Sequence, residues 1–173
     1  ETGSFVVNNG SVTINVPFTP KTWLVTFSEH HLPVGTNWSL RINGGPSHSS
    51  TTGNIWVQEK NGTYNFVLGS VSGWNSTTER GTFTVTGGGV FVSISFSQVV
   101  YKVTFSETGL PNGHSWQVTM RAATHIGPGP TLTFESPNGT FAFSASSTGY
   151  TATPGSGNVV VNGAPTTQAI SFA

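Results

Sequence analysis

Acid–base chemistry in this chain would have to come from Glu and five His, because Asp and Cys are absent from its 173 residues. A glycosidase needs two carboxyls within roughly 5–9.5 Å of each other. Glu29 and Glu107 occupy the same position of an internal repeat, so they read as turn residues rather than as such a pair. Without Asp no Ser-His-Asp triad can form, and no Gly-x-Ser-x-Gly elbow presents a nucleophile. His30 and His31 are adjacent, so in extended chain they point to opposite faces. His48, His114 and His125 fall in Gly/Pro/Ser stretches without carboxylate neighbours, which is no zinc set, and hard-cation loops want several Asp. Lys21, Lys60 and Lys102 leave an intramolecular isopeptide crosslink open, since sequence does not show proximity. The chain reads as no enzyme, with no metal and no cofactor.

The elements that must position these residues come in duplicate. Val25-Thr-Phe-Ser-Glu29, Leu32-Pro33, Gly35 and Trp38 return as Val103-Thr-Phe-Ser-Glu107, Leu110-Pro111, Gly113 and Trp116, in constant register (103 − 25 = 78, 116 − 38 = 78). Asn61-Gly62-Thr63-Tyr64 then matches Asn138-Gly139-Thr140-Phe141, Gly73-Trp74 matches Gly149-Tyr150, and Ile94-Ser95-Phe96 matches Ile170-Ser171-Phe172. A tandem repeat follows, with residues 21–100 as one unit, 101–173 as the next and 1–20 left over. Each unit is near the lower end of independently stable domains.

Composition narrows the setting. Only 7% of residues are charged and the formal net charge is zero, against about 25% charged in ordinary globular domains. Nucleic acid and anionic membrane are poor partners for such a surface. Low charge, no cysteine and the sequons at Asn9, Asn37, Asn61, Asn75 and Asn138 point to an extracellular protein carrying N-linked glycans. No stretch reaches the ~20 apolar residues of a membrane-spanning helix. Glu1 is no initiator, so a leader is expected to have been removed, and Glu1-Thr2-Gly3 is open to reading as a cloning remnant.

Strand signals dominate. Each repeat offers six alternating stretches, near 22–28, 37–43, 54–60, 62–69, 81–86 and 90–97 in the first and near 101–106, 115–121, 131–135, 140–145, 157–162 and 167–172 in the second. No window carries a helical stripe, so the expected class is all-β: two tandem immunoglobulin-like antiparallel β-sandwiches preceded by an N-terminal extension strand. Inward positions include Trp23, Val25, Phe27, Trp38, Leu40, Phe66, Phe83 and Phe96, with Val118, Phe134, Phe141 and Phe143 among those of the second unit. Trp56 has no Trp at the matching place in the second repeat, which makes it the candidate for a sugar-stacking role, against the plainer one of capping a sandwich edge.

In the leftover segment Val12, Ile14, Val16 and Phe18 alternate with polar residues. Its pattern Gly10-x-Val12-x-Ile14 resembles Gly81-x-Phe83-x-Val85 and Gly157-x-Val159-x-Val161, so it reads as a late strand of a third repeat. Six strands fall one short of the common immunoglobulin count. The segment would fold onto the first repeat of its own chain, as a hairpin through Asn9-Gly10, or insert into a neighbouring copy. In the second case the acceptor groove would be lined by Val103, Phe105, Val159, Val161, Ile170 and Phe172, and head-to-tail exchange would propagate as a homopolymer.

The motif Val-Thr-Phe-Ser-Glu-x-x-Leu-Pro-x-Gly-x-x-Trp, followed by Asn-Gly-Thr-Tyr/Phe and Ser-Gly-Trp or Thr-Gly-Tyr, resembles a β-repeat of archaeal secreted and surface proteins, including thermopsin-like proteins outside their protease domain. Residues 21–173 carry the likeness, and His30-His31 departs from it where the second repeat has Thr108-Gly109. The resemblance implies an archaeal extracellular location and a structural or adhesive role without catalytic residues. In architecture the free N-terminal strand resembles archaeal thread and bundling-pilus subunits assembled by donor-strand complementation. The expected function is therefore a pilus or thread subunit, with an adhesive or carbohydrate-binding module of a larger secreted protein as the alternative.

Overall fold

The computed structural model describes residues 2–173. Among them every regular element is a strand and none is a helix, so no helix is long and apolar enough to cross a membrane. The first repeat holds β1 (Trp23–His30), β2 (Trp38–Ile42), β3 (Ser47–Ser50), β4 (Asn54–Glu59), β5 (Gly62–Leu68), β6 (Trp74–Ser76), β7 (Arg80–Val85) and β8 (Val90–Gln98). They form two four-stranded sheets, β4-β1-β8-β6 and β3-β2-β5-β7. The second repeat repeats this arrangement with β9 (Tyr101–Thr108), β10 (Trp116–Met120), β11 (Ala123–Gly127), β12 (Thr131–Ser136), β13 (Gly139–Ser146), β14 (Ala152–Thr153), β15 (Ser156–Val161) and β16 (Thr166–Phe172). Its sheets are β12-β9-β16-β14 and β11-β10-β13-β15.

Each sandwich therefore has eight strands where the alternation predicts six. The additions are β3 and β6 in one and β11 and β14 in the other. Ser47–Ser50 carries no apolar residue, and Ala152–Thr153 is only two residues long, so neither shows a period-2 signal. Nor are the sheets purely antiparallel. The first and last strands of each unit lie side by side and run parallel, β1 with β8 and β9 with β16.

Side-chain alternation sorts each strand into an inner and an outer row. Val25, Phe27, Trp38, Leu40, Phe66, Phe83, Val85, Ile94 and Phe96 fill the first core, and Val103, Phe105, Trp116, Val118, Phe134, Phe143, Val159, Val161, Ile170 and Phe172 the second. Trp23 and Phe141 pack at the margins of these cores, only partly buried. Ile55, Val57, Met120 and Leu132 join the cores as well. The two repeat tryptophans do the same work twice. Trp38 Nε1 donates to Thr52 O at 2.9 Å and its ring meets Phe96 edge-on at 6.4 Å; Trp116 Nε1 donates to Gly129 O at 2.7 Å and meets Phe172 at 5.9 Å.

The connection between the last two strands of each repeat is also duplicated. Asn61 Oδ1 accepts from Gly87 N at 2.8 Å, and Asn138 Oδ1 accepts from Gly163 N at 2.7 Å, tying the β7–β8 and β15–β16 connections to the start of β5 and β13. Both glycines have positive φ, 91° and 74°. Each connection is an arch rather than a ladder hairpin, since β7 lies in one sheet and β8 in the facing one.

Residues 2–20 contain no strand. The expected N-terminal strand and its ladder hairpin through Asn9-Gly10 are not formed; the segment has no sheet of its own to join.

Candidate functional site

Four of the side chains that chemistry would have used, Glu29, Glu107, His114 and His125, are engaged in turn capping or packing. Glu29 Oε2 accepts from Leu32 N at 3.1 Å and Glu107 Oε2 from Leu110 N at 3.4 Å, so each carboxylate caps the turn that follows the first strand of its repeat. His125 stacks on Phe134 at 4.1 Å, and His114 meets Tyr150 edge-on at 4.9 Å while its Nε2 lies 3.3 Å from Thr148 O. Among the described residues no three His or Glu side chains are grouped as a metal site would need. One titration is displaced: partial burial and the neighbouring Glu59 carboxylate hold the Tyr64 phenol above its ordinary range.

Two surfaces remain. The first is the N-terminal segment. Val12, Ile14, Val16 and Phe18 are 47%, 52%, 62% and 89% exposed, and Phe5 and Val7 are exposed as well. Monomeric soluble proteins rarely leave a contiguous apolar row in water. The two arms of the segment, residues 2–5 and 13–17, face each other across a cavity of about 680 Å³. Asn9, at the bend between them, has φ 51°. Sequence reasoning named the second arm and passed over Phe5 and Val7; the signal that marks them is their register with Phe83 and Val85 (83 − 5 = 78, 85 − 7 = 78).

The residues expected to line an acceptor groove do not line an open one. Val103, Phe105, Val159, Val161, Ile170 and Phe172 are all buried in the second core, between two sheets that β15 and β16 of the same chain complete. What stays open beside them is main chain: β14 pairs only with Ser171 and Phe172, leaving the outer edge of β16 over residues 166–170 without a ladder partner among the described residues.

The second surface lies on the outer face of the β4-β1-β8 sheet. Thr26 is paired with Trp56 on one side and with Phe91 on the other, so the three side chains form one row across three strands. With strands about 4.8 Å apart, the two aromatic residues stand on the order of 10 Å from each other. Trp56 is 58% exposed, Phe91 65%, and Leu24 lies exposed on the neighbouring row. Asn54, Gln58, Ser28 and Ser93 share that face, and none of these residues is charged. In the second sandwich the same row reads Thr133, Thr104 and Thr167. Trp56 thus sits on an edge strand with its ring on the outer face, and the fold does not require an aromatic there. The five sequon asparagines, Asn9, Asn37, Asn61, Asn75 and Asn138, are all exposed.

No family model matches the chain, and no curated protein does. Among solved structures, the TIE protein of Bacillus anthracis superposes with a TM-score of 0.64 at 12% identity, over 88% of this chain and 33% of that one. The chain thus spans about a third of that protein's length, and the likeness is one of fold. The minor pilin GBS52 of Streptococcus agalactiae (TM-score 0.34, 8% identity, 86% and 94% covered) and the shaft pilin SpaA of Lactobacillus rhamnosus GG (0.33, 9%, 90% and 98%) match at scores too low to superpose the architecture.

Proposed function

We propose that the chain is a structural, non-catalytic subunit of an extracellular filament, joined head to tail through its N-terminal segment, which completes a β-sandwich in the neighbouring unit. The observation that carries this reading is the exposed row Val12, Ile14, Val16 and Phe18 in a segment without ladder partners. Strands donated this way bind through main-chain bonds plus alternate side chains seated in pockets, and a heterologous contact of this kind propagates. Low charge, exposed sequons and the absence of cysteine fit an extracellular setting, and the resemblance of the repeat supports an archaeal one.

Electron microscopy of the full chain beside a version lacking residues 1–20 tests the reading. Regular filaments from the full chain and monomers from the truncation are expected, with Ile14→Asp plus Val16→Asp behaving like the truncation. Filaments that persist in either variant overturn it.

A second reading, an adhesive or carbohydrate-binding module, is favoured by the Trp56–Thr26–Phe91 row. Two exposed rings on an uncharged sheet face offer surfaces on which sugar rings stack, with Gln58 and Ser93 within the same patch as hydrogen-bonding groups. Quenching of tryptophan fluorescence by a neutral polysaccharide, lost in Trp56→Thr, is the outcome that supports it.

A further inference from the structure

The N-terminal segment matches the inside of the chain over a longer span than its strand alternation suggests. Glu1-x-Gly3-x-Phe5-x-Val7, Gly10, Val12 and Phe18 are identical to Glu79-x-Gly81-x-Phe83-x-Val85, Gly88, Val90 and Phe96, without a gap (79 − 1 = 78, 96 − 18 = 78). The same offset continues through Val25 and Val103 to Trp38 and Trp116. Residues 1–38 therefore correspond to residues 79–116, the stretch that closes the first sandwich and opens the second. This register replaces the match of Gly10-x-Val12 to Gly81-x-Phe83, and it aligns Glu1-Thr2-Gly3 with Glu79-Arg80-Gly81, so those residues belong to the repeat pattern.

Three observations in the structure agree with that register. Asn9 has φ 51° where the matching Gly87 has 91° and the second-sandwich glycine, Gly163, has 74°. Residues 2–5 and 13–17 stand apart across a cavity, as the arms of β7 and β8 stand apart in facing sheets with core side chains between them. And Phe5, Val7, Val16 and Phe18, all exposed, correspond to Phe83, Val85, Ile94 and Phe96, none more than 6% exposed.

We infer that residues 3–18 are a closing arch, the β7–β8 element of a sandwich whose other six strands are of the β1–β6 type and stand before sandwich 1 as sandwich 1 stands before sandwich 2. This rests on the reading that the segment supplies strands to a neighbouring unit, and it specifies what that unit must lack. Sandwiches 1 and 2 already hold their own arches, so a neighbouring copy of this chain takes the segment only where its β7–β8 or β15–β16 arch gives way. In the completed unit the first arm pairs antiparallel with a β5-type strand, Phe5 opposite the Tyr64 position, as Phe83 does now. The second arm pairs parallel with a β1-type strand, Val12 opposite the Val25 position, as Val90 does now. Phe18 meets the acceptor's repeat tryptophan, and Asn9 N donates to its Asn61-type side chain, the roles of Phe96 and Gly87.

The test adds the missing strands. A second copy of residues 21–78 is placed directly ahead of Glu1 in the full chain, and hydrogen exchange is measured across residues 3–18. A control carries residues 79–96 in place of 1–18 behind the same added copy. Exchange in Phe5–Val7 and Val12–Phe18 at least about 100-fold slower than in the chain without the addition is expected, reverting in Val16→Asp while sandwiches 1 and 2 stay protected. If the control folds and residues 3–18 still exchange freely, the inference is overturned. It is equally overturned if residues 3–18 become protected as the unextended chain polymerises while β7–β8 and β15–β16 keep their full protection, because eight-stranded sandwiches would then suffice as acceptors. Truncation that abolishes filaments while the extended chain leaves residues 3–18 unprotected would sink this inference and leave the filament reading standing.

Discussion

His31 takes φ 78° at the turn after β1, where the second sandwich has Gly109 at 96°. The left-handed turn residue is thus kept in both repeats, although His30-His31 replaces the Thr108-Gly109 of the second. The tolerance is not symmetrical, because a Cβ on Gly109 would run into the main-chain carbonyl of Phe172. Gly109→Ala adds that collision to the left-handed penalty of roughly 1–2 kcal/mol. The expected result is a clear fall in the unfolding temperature of the second sandwich by calorimetry. Tyr64 offers a pH test. Its proton is held more tightly folded than unfolded, so its contribution is whole below the ordinary tyrosine pKa of about 10 and is lost as pH rises through the higher folded value. Denaturant midpoints between pH 9 and 11 are expected to fall in the native chain and to fall less in Tyr64→Phe, a substitution the matching Phe141 shows the fold accepts.

At the scale of strands, the outer row of the β4-β1-β8 sheet separates what folding needs from what it does not. Thr133, Thr104 and Thr167 serve the second sandwich where Trp56, Thr26 and Phe91 serve the first. Trp56→Thr and Phe91→Thr are therefore each expected to change stability by less than about 0.5 kcal/mol, the usual range for surface sites. A loss of 2 kcal/mol or more would show the rings packing in the fold and count against a ligand platform. The same comparison explains what was legible beforehand. Strands with apolar alternation, such as Val25–Phe27 and Val159–Val161, and the turns after Leu32-Pro33 and Leu110-Pro111 were readable because burial imposes period 2 and turns demand particular residues. Ser47–Ser50 and Ala152–Thr153 were not, since they are held by edge pairing alone. The parallel pairing of first and last strands was illegible for a different reason: it joins residues 65 apart in the first sandwich (90 − 25 = 65) and 63 apart in the second (166 − 103 = 63), and local pattern carries no register over that distance. Within the site, Val12 to Phe18 announced themselves by alternation, whereas Phe5 and Val7 emerge only from the long register with Phe83 and Val85.

For the whole molecule, the two sandwiches have separate hydrophobic clusters, and neither includes a residue before Trp23. The apolar side chains of the N-terminal segment add nothing to these cores; Phe18, five positions before Trp23, is 89% exposed. Burying a Val, Ile or Phe fully is worth roughly 1.5–3 kcal/mol each, and this gain is still unrealised for the segment in the single chain. Removal of residues 1–20 is accordingly expected to leave the thermal unfolding of monomeric protein unchanged within about 1 °C while abolishing assembly. The two readouts must separate. If the truncated chain unfolds several degrees earlier as a monomer, the segment packs on sandwich 1 of its own chain, and strand donation to a neighbour is the wrong account of its exposed row. If stability holds and assembly is lost, the burial that drives association comes from a segment that folding leaves free.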